Sequence, residues 1–294
     1  MTIDRRSLLL GSTAPLFALS GNRFSICSET FVGMSFAKAC KVAKRIGYAG
    51  IEIDPAHLSA DPASLIPSER REIRRTIAAE GLRYVGLHSF LKAPAGLHLT
   101  APDKAVRRKS WDYFAHMVDL AADLGDKPVM VLGSSKQRAT VDGATQAEAV
   151  QRLKDGLPGL TQNAELRGVS ILMEPLAPNL CNVVNTLAEA LEIVRYVKSP
   201  AVQTILDTHN TAAETLPIDV LIREHFPSIR HVHLNEMDGR RPGTAGFPFE
   251  SVLRTLKLCG YTGWVSVEVF DFKPDGETVA RQAYEFLQGV ENRV

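Results

Sequence analysis

A chain of 294 residues with 45% hydrophobic and 23% charged residues has enough apolar material for a large core, and its formal net charge of +1 gives no electrostatic case for nucleic acid. Cys27, Cys40, Cys181 and Cys259 are scattered without a Cys-x-x-Cys pair, which excludes a zinc knot and a disulfide framework and leaves them as small buried apolar side chains. The length suits two ordinary domains or one α/β barrel, which commonly takes about 250 residues.

Residues 1–21 stand apart. Arg5-Arg6 precedes an uncharged stretch from Ser7 to Ser20 that is too short to span a bilayer and resembles a twin-arginine export signal. That reading predicts a periplasmic protein; the alternative is a frayed extension of a cytoplasmic one. Stable membrane insertion is expected in neither case. A single folded domain is expected over residues 22–294.

From there apolar runs alternate with helical periodicities. Phe24 to Cys27 reads as a first strand and Ser35 to Ile46 as a helix with an apolar face of Ala37, Ala39, Cys40, Val42, Ala43 and Ile46. Ile51 to Asp54 is the second strand, Pro62 to Glu80 the second helix, ended by Gly81. Tyr84 to His88 is the third strand, and Pro102 to Leu124 a long polar helix. The loop from Lys92 to Pro102 is a candidate lid. Lys127 to Gly133 is the fourth strand and Thr145 to Arg167 one helix. The strands beginning at Val169, Val202, Ile229 and Trp264 are followed by helices at Thr186–Val197, Leu216–His225, Phe249–Leu258 and Gly276–Gly289. Eight strands alternating with eight helices, without a glycine-rich nucleotide fingerprint, predict a closed (β/α)8 barrel, the TIM barrel, rather than an open doubly wound sheet.

The last four strands share a feature. They end in, or run straight into, Glu174, Asp207, His233 and Glu268, at intervals of 33, 26 and 35 residues, about one strand-helix unit each. In a parallel barrel these positions form the C-terminal rim, where three carboxylates and one imidazole make an oxygen-rich site suited to one divalent ion, Mn²⁺ foremost, with Mg²⁺ or Co²⁺ as alternatives. One such acid is as readily a helix cap or an arginine partner, but four in succession are not. His209 and His231 each stand two residues from a candidate ligand and so share its side of the strand; His231 reads as an inward-facing core histidine. His88 ends the third strand, within reach of a substrate at the rim or as a plain loop histidine.

Glu174-Pro-Leu-Ala-Pro-Asn179, Leu206-Asp-Thr-His209, His231-Val-His-Leu-Asn-Glu236, Arg241-Pro-Gly-Thr-Ala-Gly246 and Ser266-Val-Glu-Val-Phe-Asp271 together resemble the xylose isomerase-like TIM barrel superfamily, and within it the sugar phosphate isomerase/epimerase branch with its ketose 3-epimerases. The resemblance implies that Glu174, Asp207, His233 and Glu268 hold the metal and that Glu174 and Glu268 double as the acid/base pair. It implies that His209 and Arg240 or Arg241 hold substrate oxygens, while Glu52 and His88 shape the pocket. One departure is visible: the substrate histidine of such epimerases usually follows the Asp by three residues, whereas His209 follows Asp207 by two. Gly133-Ser-Ser-Lys-Gln-Arg138 resembles the sugar-facing loop after strand four; a plain turn with solvated charges is the alternative.

The implied activity is isomerisation or epimerisation of a small-molecule ketose or keto-sugar, by proton abstraction beside a carbonyl through an enediolate. The same first step begins a lyase reaction on a keto-cyclitol or 3-keto-glycoside, and a non-catalytic sugar-binding or partner subunit is the reading from another class. Assembly into a homo-oligomer is compatible with all of these.

Overall fold

The computed structural model describes residues 23–294; the Arg5-Arg6 segment lies outside them. Eight parallel strands close into a barrel in sequence order: β1 (Arg23–Cys27), β2 (Gly50–Ile53), β3 (Arg83–Leu87), β4 (Val129–Leu132), β5 (Ser170–Met173), β6 (Val202–Asp207), β7 (Ile229–Leu234) and β8 (Trp264–Val267). Among the described residues nine α-helices surround it: α1 (Phe36–Ile46), α2 (Pro67–Ala79), α3 (Lys104–Leu124), α4 (Gln146–Gly156), α5 (Pro158–Arg167), α6 (Leu187–Val197), α7 (Ile218–His225), α8 (Phe249–Leu258) and α9 (Gly276–Glu291).

Local chemistry sets the helix ends. Ser35, Asp103, Thr145, Thr186 and Asp275 each accept a backbone N–H of the first turn of the helix they precede. Gly81 and Gly168, at φ +67° and +68°, end α2 and α5 in the left-handed conformation that glycine adopts without steric cost.

Two expected helices are divided. Pro62 to Ser64 is a separate 3-10 turn, and α2 begins only at Pro67, whose ring suits a first helical position. The helix expected over Thr145 to Arg167 breaks into α4 and α5 at Leu157, because Pro158 has no N–H to continue the ladder. The loop from Lys92 to Pro102 is not poised as a lid: Leu97, Leu99 and Ala101 are buried, and Leu99 N donates to Gln137 O at 2.7 Å. Cys27, Cys40 and Cys181 are buried as expected, whereas Cys259, next to the C-terminal end of α8, is only partly so.

The barrel interior is divided chemically. Val85, Val129, Val131, Leu172 and Ile205, from β3 to β6, form a small apolar cluster separate from the main core between strands and helices. On β1, β2, β7 and β8 buried polar groups take its place: Ser25, Glu52, His231, His233 and Ser266. Register puts Asp207 beside His233, and His233 beside Ser266. The polar half of the interior thus lies directly under the rim to which the candidate ligands were assigned. No helix among the described residues is long and apolar enough to cross a membrane.

Candidate metal centre and cavity

Glu174 is the first residue beyond β5, Asp207 the last of β6, His233 the fifth residue of β7 and Glu268 the first beyond β8. Closure of the barrel brings one donor atom from each within 4.8 Å of all the others. His233 Nδ1 lies 3.0 Å from Glu268 Oε2 and 3.9 Å from Glu174 Oε1. Asn210 donates to Asp207 Oδ2 at 2.7 Å and is itself held by Ala177 N at 3.0 Å. Gly133, at the end of β4, leaves the space that Glu174 occupies: a Cβ there would stand 1.6 Å from Glu174 Oε2.

The cluster carries more negative charge than its surroundings balance. Burial pushes the Glu174 carboxyl well above the usual range, and the charges of Asp207 and Glu268 push it further. Burial and Glu268 also raise Asp207. Burial opposes the charge of Glu268 too, but the His233 imidazolium beside it outweighs that and holds the carboxyl down at about 2. For His233, the pull of Glu52 and Glu268 overcomes burial and raises the imidazole well above its ordinary value. Three buried carboxylates and one imidazole in such proximity form a hard, anionic donor set, and the chemistry of that set fits a divalent cation of the Mn²⁺, Mg²⁺ or Co²⁺ type.

Below the rim stands Glu52. Its Oε1 is 3.0 Å from His233 Nε2 and its Oε2 2.7 Å from His231 Nε2, while Ser266 Oγ donates to Oε2 at 2.6 Å. The expectation that Glu52 shapes the substrate pocket is therefore corrected: as an inward-facing mid-strand residue it sits one layer down and orients His233 from behind. Burial works against its charge, but His233 and His231 outweigh that and hold the carboxyl well below the usual carboxylate range. His231 is the core histidine expected, kept below its ordinary value by burial.

Above the cluster opens a cavity of about 710 Å³, lined by His88, Glu174, His209, Asn210 and Glu268, by Ser134 to Gln137, and by residues of the loops after β3, β5, β7 and β8. His88 faces it, with Nε2 2.6 Å from Glu29 Oε2; burial works against its charge, but Glu29 and then Glu52 and Glu268 raise it to about 9. His209 also lines the cavity, with its backbone N donating to Asp207 Oδ1 at 2.8 Å and its Nδ1 3.2 Å from Glu236 O. Arg240 and Arg241 do not line it. The turn after β7 directs Arg240 outward onto Asp238, 2.7 Å away, and Arg241 Nη1 donates to Pro242 O at 3.1 Å.

Three contributors escape sequence reasoning. Glu29 follows β1 at the same rim address as the candidate ligands, a signal hidden by its position in a 3-10 turn. Asn210 occupies the third position after Asp207 and donates directly to that carboxylate. Arg138, in a loop read either as sugar-facing or as a plain turn, is fully buried and donates from Nη2 to the backbone oxygen of Glu174 at 2.5 Å.

The fructoselysine 3-epimerase of Shigella flexneri is 24% identical to this chain over 254 residues, covering 84% of this chain and 90% of its own length. Among solved structures, a D-psicose 3-epimerase crystallised with D-fructose superposes with a TM-score of 0.78 at 22% identity, over 91% of this chain and 99% of its own. A 3-keto-D-glucoside 4-epimerase from E. coli superposes with a TM-score of 0.79 at 18% identity, also over 91% and 99%. The family model for the xylose isomerase-like TIM barrel matches residues 40–290. With the closed barrel, the sequence match and the donor cluster at its rim in agreement, this chain belongs to the xylose isomerase-like TIM barrel family.

Proposed function

We propose that this chain is a sugar epimerase or isomerase that works with one divalent ion, acting on a ketose or keto-sugar beside its carbonyl. The observation that carries the reading is the convergence of Glu174, Asp207, His233 and Glu268 within 4.8 Å at the floor of the cavity, with Glu174 and Glu268 both facing it. The names of the relatives, two ketose 3-epimerases and a keto-glucoside 4-epimerase, support the same class.

A divalent ion held by the four side chains supplies a Lewis acid against the negative charge that develops on substrate oxygens during proton abstraction. Asp207 and His233, which do not line the cavity, serve only to hold it. Glu174 and Glu268 enter from β5 and β8, three strands apart around the barrel. A carboxylate oxygen of one takes the proton from the carbon beside the carbonyl, and the carboxyl of the other returns a proton to the opposite face, inverting that carbon. Return to the neighbouring carbon gives aldose-ketose isomerisation instead. His88 and His209 bind hydroxyls at the wall, and Arg138 fixes the backbone from which Glu174 projects.

The test is deuterium incorporation from D₂O, followed by NMR, with Mn²⁺-loaded protein and a panel of ketoses and keto-glucosides. Exchange at the carbon beside the carbonyl is expected, reduced roughly 10²–10⁴-fold in Glu268→Gln. Release of a β-substituent would place the chain among the lyases. Tight Mn²⁺ binding with no exchange in any sugar would sink the enzymatic reading in favour of a binding subunit.

A further inference from the structure

We infer that the mouth of the cavity is a second subsite, built for a ring carried by the reacting sugar, so that the substrate is a two-ring conjugate rather than a free monosaccharide. The inference rests on the function proposed above and concerns the outer part of the same cavity. A volume of about 710 Å³ lies in the range of roughly 300–1,000 Å³ that encloses drug-sized ligands, which leaves room beyond a single six-carbon sugar seated on the floor.

The walls of that outer space differ in kind. Leu180, Met237 and Phe270, on the loops after β5, β7 and β8, are among the few large apolar side chains exposed in the described residues, and all three line the cavity. Phe270 is 49% exposed yet firmly placed. Its backbone N donates to Gly239 O at 2.8 Å, and its ring packs over Gly239, where an added Cβ would stand 2.9 Å from Phe270 Cδ2. The ring also meets His209 edge-on, with centroids 5.1 Å apart. Lys136, Gln137 and Asn179 also line the cavity and offer polar groups, and the Lys136 ammonium has no ion pair or hydrogen bond among the described residues.

A pyranose or aryl ring matches this asymmetry: C–H or π faces lie against the phenyl platform, and hydroxyl edges reach the amides and the ammonium. On this inference a free monosaccharide seated on the floor leaves the outer apolar patch without a covering ring.

Two matched pairs of probes test the inference with the Mn²⁺-loaded full chain: D-fructose against isomaltulose, and methyl against phenyl 3-keto-β-D-glucoside. In at least one pair the two-ring compound should exchange deuterium with kcat/KM about tenfold higher or more, the increment expected of one aromatic platform. That ratio should fall toward one in Phe270→Ala and in Leu180→Ala/Met237→Ala, and be kept in Phe270→Tyr. Equal kcat/KM within both pairs, unmoved by the substitutions, overturns the subsite and leaves the proposed chemistry standing. Exchange with no probe overturns the chemistry; calorimetry with phenyl β-D-glucoside then decides the subsite separately. Binding weakened about tenfold by Phe270→Ala upholds it, and absence of binding overturns it.

Discussion

Gly133 is the residue on which the position of Glu174 depends most directly. Any side chain there overlaps the carboxylate, since an added Cβ would lie 1.6 Å from Oε2. Gly133→Ala is expected to fold normally by circular dichroism but to lose about 10²-fold in kcat and in Mn²⁺ affinity, the scale of an ångström's misplacement of a reacting group. Unchanged Mn²⁺ affinity would mean that Glu174 has other room. Glu52 acts at one remove, through His233 Nε2. Glu52→Gln keeps the shape but gives up the charge that orients the imidazole, and should weaken Mn²⁺ binding roughly 10–100-fold in a titration; an unaltered titration would reduce Glu52 to a core hydrogen-bond partner. The four candidate ligands were legible as a cluster because each stands where an apolar run stops. Glu52 was visible as an acid in a strand, but its depth was not, since depth depends on which layer of the closed barrel a mid-strand residue occupies. Arg240 and Arg241 misled for the opposite reason: they follow His233 closely in sequence, but Asp238 draws the Arg240 guanidinium away from the cavity.

At the scale of elements, apolar runs and period-3.6 patterns located the eight strands and the helical segments between them, and the divisions they missed fall at proline. Pro67 and Pro158 each begin a helix where hydrophobic periodicity runs on without interruption, because periodicity records which side chains are buried and not whether the backbone ladder is continuous. The break between α4 and α5 has a packing counterpart. The indole of Trp111 on α3 lies against Gly156, the last residue of α4, where a Cβ would approach Trp111 Cε2 to 2.1 Å. Gly156→Ala should therefore destabilise the fold by about 1–3 kcal/mol through overpacking, although alanine is the better helix former. Urea unfolding reads the effect as a lower midpoint. A midpoint raised by the substitution would show that the helix pair adjusts freely around the indole. Loop positions were the least legible: Leu97 and Leu99 anchor a segment that reads as mobile from its glycine and prolines alone.

For the molecule as a whole, the donor cluster sets stability against function. The fold gathers Glu174, Asp207 and Glu268 into one buried group, and the raised carboxyl of Glu174 records the cost of ionising it there. A group whose folded-state pKa lies above its unfolded value stabilises the fold at low pH and loses that contribution as pH rises through the folded value. Glu174→Gln makes the neutral form permanent. In EDTA-treated protein it should therefore raise Tm, with a gain that is small near pH 5 and grows toward pH 8, as scanning calorimetry can follow. A divalent ion should do the same for the unaltered chain: Mn²⁺ at about 100 times its Kd contributes about 2.7 kcal/mol, several degrees in Tm for a domain of this size, and Glu174→Gln should lose most of that shift. The two effects must appear together if charge crowding is the cause, because substitution and ion relieve the same repulsion. A variant that gains nothing in EDTA yet still loses the Mn²⁺ shift would locate the role of Glu174 in coordination geometry alone, with the hydrogen bond from Asn210 and the nearby His233 imidazole already carrying the charge.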